Sequence, residues 1–176
     1  MKLVELGKTG ISITAIGLGC WQFSQGKGMS GKFWPIIKKE DAKKIVDISL
    51  KGGISWFDTA EIYGWGASEQ VLSESLQDLN IKPGSVFIAT KWFPGMRFAG
   101  SIRKTFPKRV EMLKPYPIDL HQVHMPFSLS SVEKQMNELA DLHDEGKIRS
   151  IGVSNFPRKK MELSLIHISE PTRLRR

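Results

Sequence analysis

A strand-and-helix period runs through this chain and limits what it can fold into. Five short apolar runs, residues 15–21, 54–59, 86–90, 120–125 and 148–153, alternate with stretches whose apolar residues recur at helical spacing. Trp21, Asp58, Lys91, His124 and Asn155 fall at the expected C-terminal ends of successive strands, 37, 33, 33 and 31 residues apart. Each interval is the length of one strand-helix unit. Such alternation implies parallel strands joined by right-handed crossovers, an α/β protein. In a β/α barrel these strand ends form one rim, and active sites of barrels sit there with groups drawn from several strands. A doubly wound sheet also collects ligands at strand ends, but Gly17-x-Gly19 lacks the third glycine of a dinucleotide fingerprint and a long insertion, residues 24–35, intervenes. The barrel is the preferred architecture.

Punctuation residues place the other elements. Residues 2–6 and 11–14, joined by Gly7-Lys8-Thr9-Gly10, read as a hairpin. Ala42, Ile45, Val46 and Leu50 share one helical face that Gly52-Gly53 ends. Val71, Leu72, Ser75, Leu76 and Leu79 mark a second helix, and Ile102, Phe106, Val110 and Leu113 a third, with a kink expected near Pro107. Ser130 and Glu133 have capping-box spacing before a fourth helix carrying Val132, Met136, Leu139, Ala140 and His143. His143 is expected in the core or at its boundary. No composition shift marks a linker, so 176 residues make one domain.

The net charge of +8 raises the possibility of a nucleic-acid partner. The cations, however, are scattered helix-face clusters, Lys38-Lys39 with Lys43-Lys44 and Arg158-Lys159-Lys160, without the interleaved aromatics of single-strand binders. No nucleic-acid partner is expected, though a basic surface also favours a polyanionic cofactor. No apolar run approaches the roughly 20 residues of a membrane span, and no signal-peptide pattern opens the chain. With one cysteine, Cys20, no intrachain disulfide is available, and the reading is cytoplasmic with no membrane partner.

An aspartate, a tyrosine, a lysine and a histidine meeting on one rim have a plausible joint task. Tyr63 is a weak acid whose ordinary pKa is about 10, and donating a proton near neutrality requires that value to fall. Lys91 would favour the phenolate by charge, and Asp58 would hold Lys91 and keep it protonated. His124 would hydrogen-bond a substrate carbonyl oxygen. The set suits carbonyl reduction with hydride from a nicotinamide, since no side chain supplies hydride. Taken singly, each has a plainer role: a turn tyrosine before Gly64, a loop-capping aspartate, a surface lysine. His121 and His124, three apart on a strand, face opposite sides, so no metal site is expected.

At these residues a family is recognisable. Phe57-Asp58-Thr59-Ala60-Glu61-Ile62-Tyr63-Gly64 resembles the Asp/Tyr signature of aldo-keto reductases. Ala89-Thr90-Lys91-Trp92 resembles their lysine strand, and Asp119-Leu120-His121-Gln122-Val123-His124-Met125-Pro126 their histidine strand. Residues 146–156 are similar to a further signature segment. The resemblance implies a (β/α)8 TIM-type barrel, closed at the bottom by the hairpin, that reduces aldehydes or ketones with NADPH. Carried over, Tyr63 is the proton donor, Lys91 and Asp58 its tuning pair, and His124 the substrate-orienting group. Gly19, Cys20, Trp21 and Asp58 would lie on the cofactor side, with Ser154 and Asn155 at the nicotinamide carboxamide. Trp21 and Trp92, with His124, would line the substrate pocket; large aromatics pack equally well in a core.

Departures from the family pattern shape the remaining expectations. Five strands are present where the family has eight, so the segments for the adenosine end and its 2'-phosphate are missing, and the NADPH preference rests on the resemblance alone. Residues 1–163 are expected to form a partial barrel. Residues 164–176 lose the amphipathic period and meet Pro171, and are expected to be a non-native or disordered tail. The chain alone is expected to be inactive, its gene's full product a reductase. Two other functions compete: a Schiff-base enzyme with Lys91 as nucleophile, and a slow, NADPH-binding regulatory subunit of the channel-associated type found in the same family. Residues 24–35, with Phe33 and Trp34, form the loop expected to reach substrate or cofactor.

Overall fold

A computed structural model describes residues 1–169 of the chain. The hairpin is β1 (Leu3–Glu5) and β2 (Ser12–Thr14), antiparallel with Val4 opposite Ile13. Five parallel strands follow in spatial order equal to chain order: β3 (Leu18–Gly19), β4 (Trp56–Asp58), β5 (Phe87–Trp92), β6 (Leu120–Val123) and β7 (Ser150–Val153). After β3 come a 3-10 turn (Trp21–Ser24), the short α1 (Gly28–Gly31) and α2 (Lys39–Lys51). α3 (Ala67–Asp78), α4 (Ser101–Leu113), α5 (Val132–Asp144) and α6 (Arg158–Ser169) follow the later strands. The architecture is five consecutive βα units of a β/α barrel, preceded by a hairpin.

Strand alternation sorts side chains onto two faces. On the outer face Phe57, Ile88, Trp92 and Val123 join Val46, Leu72, Ile102 and Leu139 from the helices in the main core. On the inner face Phe87, Ala89 and Leu120 gather with Ile13, against which Leu6, Ile11 and Trp56 pack. This smaller cluster brings the hairpin against the floor of the barrel. The Trp56 indole donates to the Thr14 carbonyl at 2.9 Å, and the Ser55 amide to the Thr14 hydroxyl at 3.2 Å. Gly17 makes that contact possible: a Cβ there would lie 2.1 Å from the Trp56 ring.

Three expectations need correction. Val110 is exposed and Arg109 takes the buried place on α4, paired with Glu69 of α3 at 2.6 Å. His143 is exposed rather than core. The cap of α5 is Ser131, which accepts from the Lys134 amide, while the Ser130 hydroxyl accepts from the Ala99 amide. α6 extends through Ser169, past the expected boundary of the barrel segment at residue 163, and Ser164 on it is fully buried. Residues 170–176 of the expected tail lie outside the described residues.

Candidate active site

Alternation along β5 decides which groups reach the rim. Phe87 and Ala89 point into the barrel floor, Ile88 and Trp92 into the outer core, and Lys91 therefore faces inward above the floor. Asp58 on β4 and His124, just after β6, occupy the same side by the same parity. The Lys91 ammonium donates to Asp58 Oδ2 at 2.6 Å and to the Thr59 carbonyl at 2.9 Å. It also lies 5.2 Å from the centre of the Tyr63 ring. Lys91 is almost wholly buried, so an ammonium there depends on these partners.

Tyr63 stands on the loop between β4 and α3, which turns at Gly64. Only glycine fits that corner: its φ is +68°, and a Cβ would lie 2.3 Å from the Ser24 carbonyl oxygen. The Tyr63 ring stacks on Trp21 at 5.7 Å with 18° between planes. His124 meets Tyr63 edge-on at 5.4 Å, and Phe93 meets His124 edge-on at 6.2 Å. Phe33 and Trp34, from the long insertion, close edge-on against Trp21 at 6.2 and 5.6 Å. The result is an aromatic wall with one carboxylate, one ammonium, one phenol and one imidazole inside it.

Burial sets the protonation states. His124 is pushed down to about 4 by desolvation and secondarily by the Lys91 charge, so its ring is neutral near pH 7 and offers one N–H. Its Nδ1 has no hydrogen-bond partner among the described residues. Tyr63 is pushed up to about 12, first by burial and then by the Asp58 carboxylate. This reverses the lowering expected from Lys91. The ammonium is directed at the Asp58 carboxylate and the Thr59 carbonyl, and at the phenol the burial of Tyr63 and the Asp58 charge outweigh it.

Ser154 and Asn155 close the rim after β7. The Asn155 amide donates to the His124 carbonyl at 2.9 Å and to the Ser154 hydroxyl at 3.0 Å, and Asn155 adopts φ of +59°. Gly19, paired with Asp58 across β3 and β4, has open space where a side chain would stand. Trp21, Asp58, Tyr63, Lys91 and His124 are thus brought together, with Gly19, Ser154 and Asn155 along the same edge.

Two expected site residues do not belong to it. Trp92 is fully buried on the outer face, its indole donating to Ser101 at 3.1 Å, because it follows inward-facing Lys91. Cys20 follows Gly19 and is likewise fully buried among core residues, where burial pushes its thiol up. The aromatic that meets His124 from the β5 loop is Phe93, edge-on. His121 faces outward against Phe106 at 5.6 Å, opposite to His124. Glu61 and Arg97, which the sequence did not single out, form a bidentate pair behind the loops, at 3.1 and 2.6 Å.

Known proteins share this fold. A family model described as the aldo/keto reductase family matches residues 15–167. Aldo-keto reductase YhdN of Bacillus subtilis is 32% identical over 170 residues, which cover 92% of this chain and 49% of that protein. The thermostable aldo-keto reductase Tm1743, solved with the inhibitor epalrestat, superposes with a TM-score of 0.81 at 28% identity, over 94% of this chain and 58% of that one. An aldo-keto reductase from Klebsiella pneumoniae in complex with NADPH has a TM-score of 0.72 at 21% identity, over 90% and 51%, a likeness of fold. The chain spans about half the length of the curated relatives it matches. With the family model covering most of its length and the barrel units matching in order, the chain belongs to the aldo/keto reductase family.

Proposed function

We propose that this chain is the N-terminal half of an NADPH-dependent reductase that converts aldehydes or ketones to alcohols. The convergence of Tyr63, Lys91, Asp58 and His124 within one aromatic-walled corner carries the reading. A carbonyl oxygen seated between the Tyr63 hydroxyl and the His124 ring would accept a hydrogen bond from each. His124, neutral, orients the oxygen; Tyr63, protonated at neutral pH, delivers the proton as negative charge develops there. Lys91 is near enough to stabilise the phenolate left behind, and Asp58 holds Lys91 in that position.

The donor set fits a nicotinamide. The open space at Gly19, the Asp58 carboxylate and the Ser154 hydroxyl and Asn155 amide offer a close approach, a ribose partner and carboxamide partners. The bound cofactor supplies the hydride. The NADPH carried by the Klebsiella pneumoniae protein supports this choice at the level of fold. Its adenosine end and 2'-phosphate would be held by the remaining strands. A second reading is a cofactor-holding regulatory subunit with slow turnover.

The test is fluorescence titration with NADPH, followed by carbonyl-dependent NADPH oxidation, on this chain and on one extended through the remaining strands. Binding and turnover by the extended protein alone is the expected result. Tight binding with turnover unaffected by Tyr63→Phe would favour the regulatory reading, and no NADPH binding by either protein would overturn both.

A further inference from the structure

Three rim loops converge on one residue that the chemistry above does not use, two through its side chain and one through its main chain. Arg97 lies in the loop after β5, four residues beyond Phe93. Its guanidinium donates to both carboxylate oxygens of Glu61, at 3.1 and 2.6 Å, and to the carbonyls of Phe93 and, at 3.3 Å, Pro94. It also lies 5.3 Å from the centre of the Trp92 ring. Glu61 is two residues before Tyr63 and is buried; its Oε2 accepts the Phe93 amide at 2.9 Å while its own amide donates to the Lys91 carbonyl at 3.0 Å. The main chain of Arg97 reaches the other way. Its carbonyl accepts the Leu129 amide at 3.1 Å and the Ser128 hydroxyl at 3.0 Å, in the loop that follows His124.

One residue thus joins the loop carrying Tyr63, the loop carrying Phe93 and the loop after His124. A flat fork that makes two parallel bonds to a carboxylate sets angle as well as distance, which an ammonium cannot do. We propose that Arg97, acting through Glu61, is a positioning residue that sets the separation of proton donor and orienting histidine and seats Phe93 against His124. The inference rests on the reductase reading for its catalytic consequence, though not for the loop geometry. Misplacement of reacting groups by about 1 Å costs about a hundredfold in rate. A positioning loss therefore falls on the reaction step more than on ground-state binding.

The experiment uses the full-length protein containing these residues, with Arg97→Met, Arg97→Lys and Glu61→Gln. Expected is a fall in kcat of about 10- to 100-fold in Arg97→Met and Glu61→Gln with KM moving less than about threefold. Arg97→Lys should recover only part of the loss, because it keeps the charge and loses the fork. Full kcat in Arg97→Met, or a loss confined to KM, would overturn the proposal. Amide hydrogen exchange is read alongside: faster exchange at Phe93 and Leu129 in Arg97→Met, with Thr59 unchanged, supports the three-loop link, and no change there removes it. A wild type without turnover would sink the reductase reading alone, leaving the exchange result to decide the link. If Arg97→Met does not fold, Glu61→Gln is judged by the same two readouts.

Discussion

Tyr63 and His124 sit against each other with opposite displacements, one pushed up to about 12 and the other down to about 4. Neither group changes charge in the middle of the pH range. Neutral His124 is retained as pH falls until about 4, and protonated Tyr63 as pH rises until about 12. In the full-length protein kcat/KM is expected to be flat between pH 5 and 9 with respect to these two groups. A basic limb appearing between 8 and 9 would mean that Lys91 turns from Asp58 to the phenol oxygen once cofactor and substrate are bound. Replacing Tyr63 with Phe should lower turnover by about 100- to 10,000-fold, the usual weight of a positioned general acid, while NADPH binding persists. Equal turnover in that variant would remove Tyr63 from the chemistry. The site was legible because Asp58, Lys91 and His124 fall in register at strand ends, with Tyr63 on the loop that follows Asp58. Their protonation was not, since it depends on burial and on where Lys91 points.

The helices and strands carry a second set of ionisable groups on the outer face. Arg109 of α4 and Glu69 of α3 are both buried, and Thr90 donates to Glu69 at 2.6 Å. Removing one partner strands the other charge, so Arg109→Met is expected to cost about 3–5 kcal/mol by chemical denaturation. Joint replacement by Arg109→Met and Glu69→Leu should cost much less. Near-additive losses would show that the pair is not coupled. Burial pushes His121 down to about 3, with Arg109 adding to the effect. The unfolded chain then takes up a proton near pH 6.5 that the folded chain refuses, so this contribution falls as pH drops from about 6.5 towards 3. Glu69, raised to about 7 by burial, has the reverse slope, stabilising at low pH and losing that as pH rises from about 4.5 through 7. Comparing acid unfolding of His121→Gln and Glu69→Gln with the parent separates the two: the first should be less acid-sensitive, the second more. The sequence placed α4 correctly but assigned Val110 to its buried face. An arginine is expected outside unless a buried carboxylate awaits it, and the carboxylate comes from another helix.

For the molecule as a whole, the sheet edges are the governing feature. Among the described residues β3 and β7 each pair on one side only, and the relatives are about twice as long. Unpaired parallel edges recruit further strands. The chain alone is therefore expected to associate or aggregate at concentrations where the extended protein stays monodisperse, as light scattering would report; a monodisperse and stable 176-residue chain would contradict this. At the level of the barrel, the interval between strand ends was enough to read the class, the order of units and the rim. The same interval could not tell that Trp92 and Cys20 leave the site, although strand alternation next to Lys91 and Gly19 contained that information. The sequence by itself determined the βα order and the chemical groups at the strand ends, because hydrophobic period and residue type are local properties. Tertiary structure alone decided the Glu61–Arg97 link, the Arg109–Glu69 pair and the protonation of Tyr63 and His124. Those depend on distances between segments far apart in the chain and on the water that packing removes.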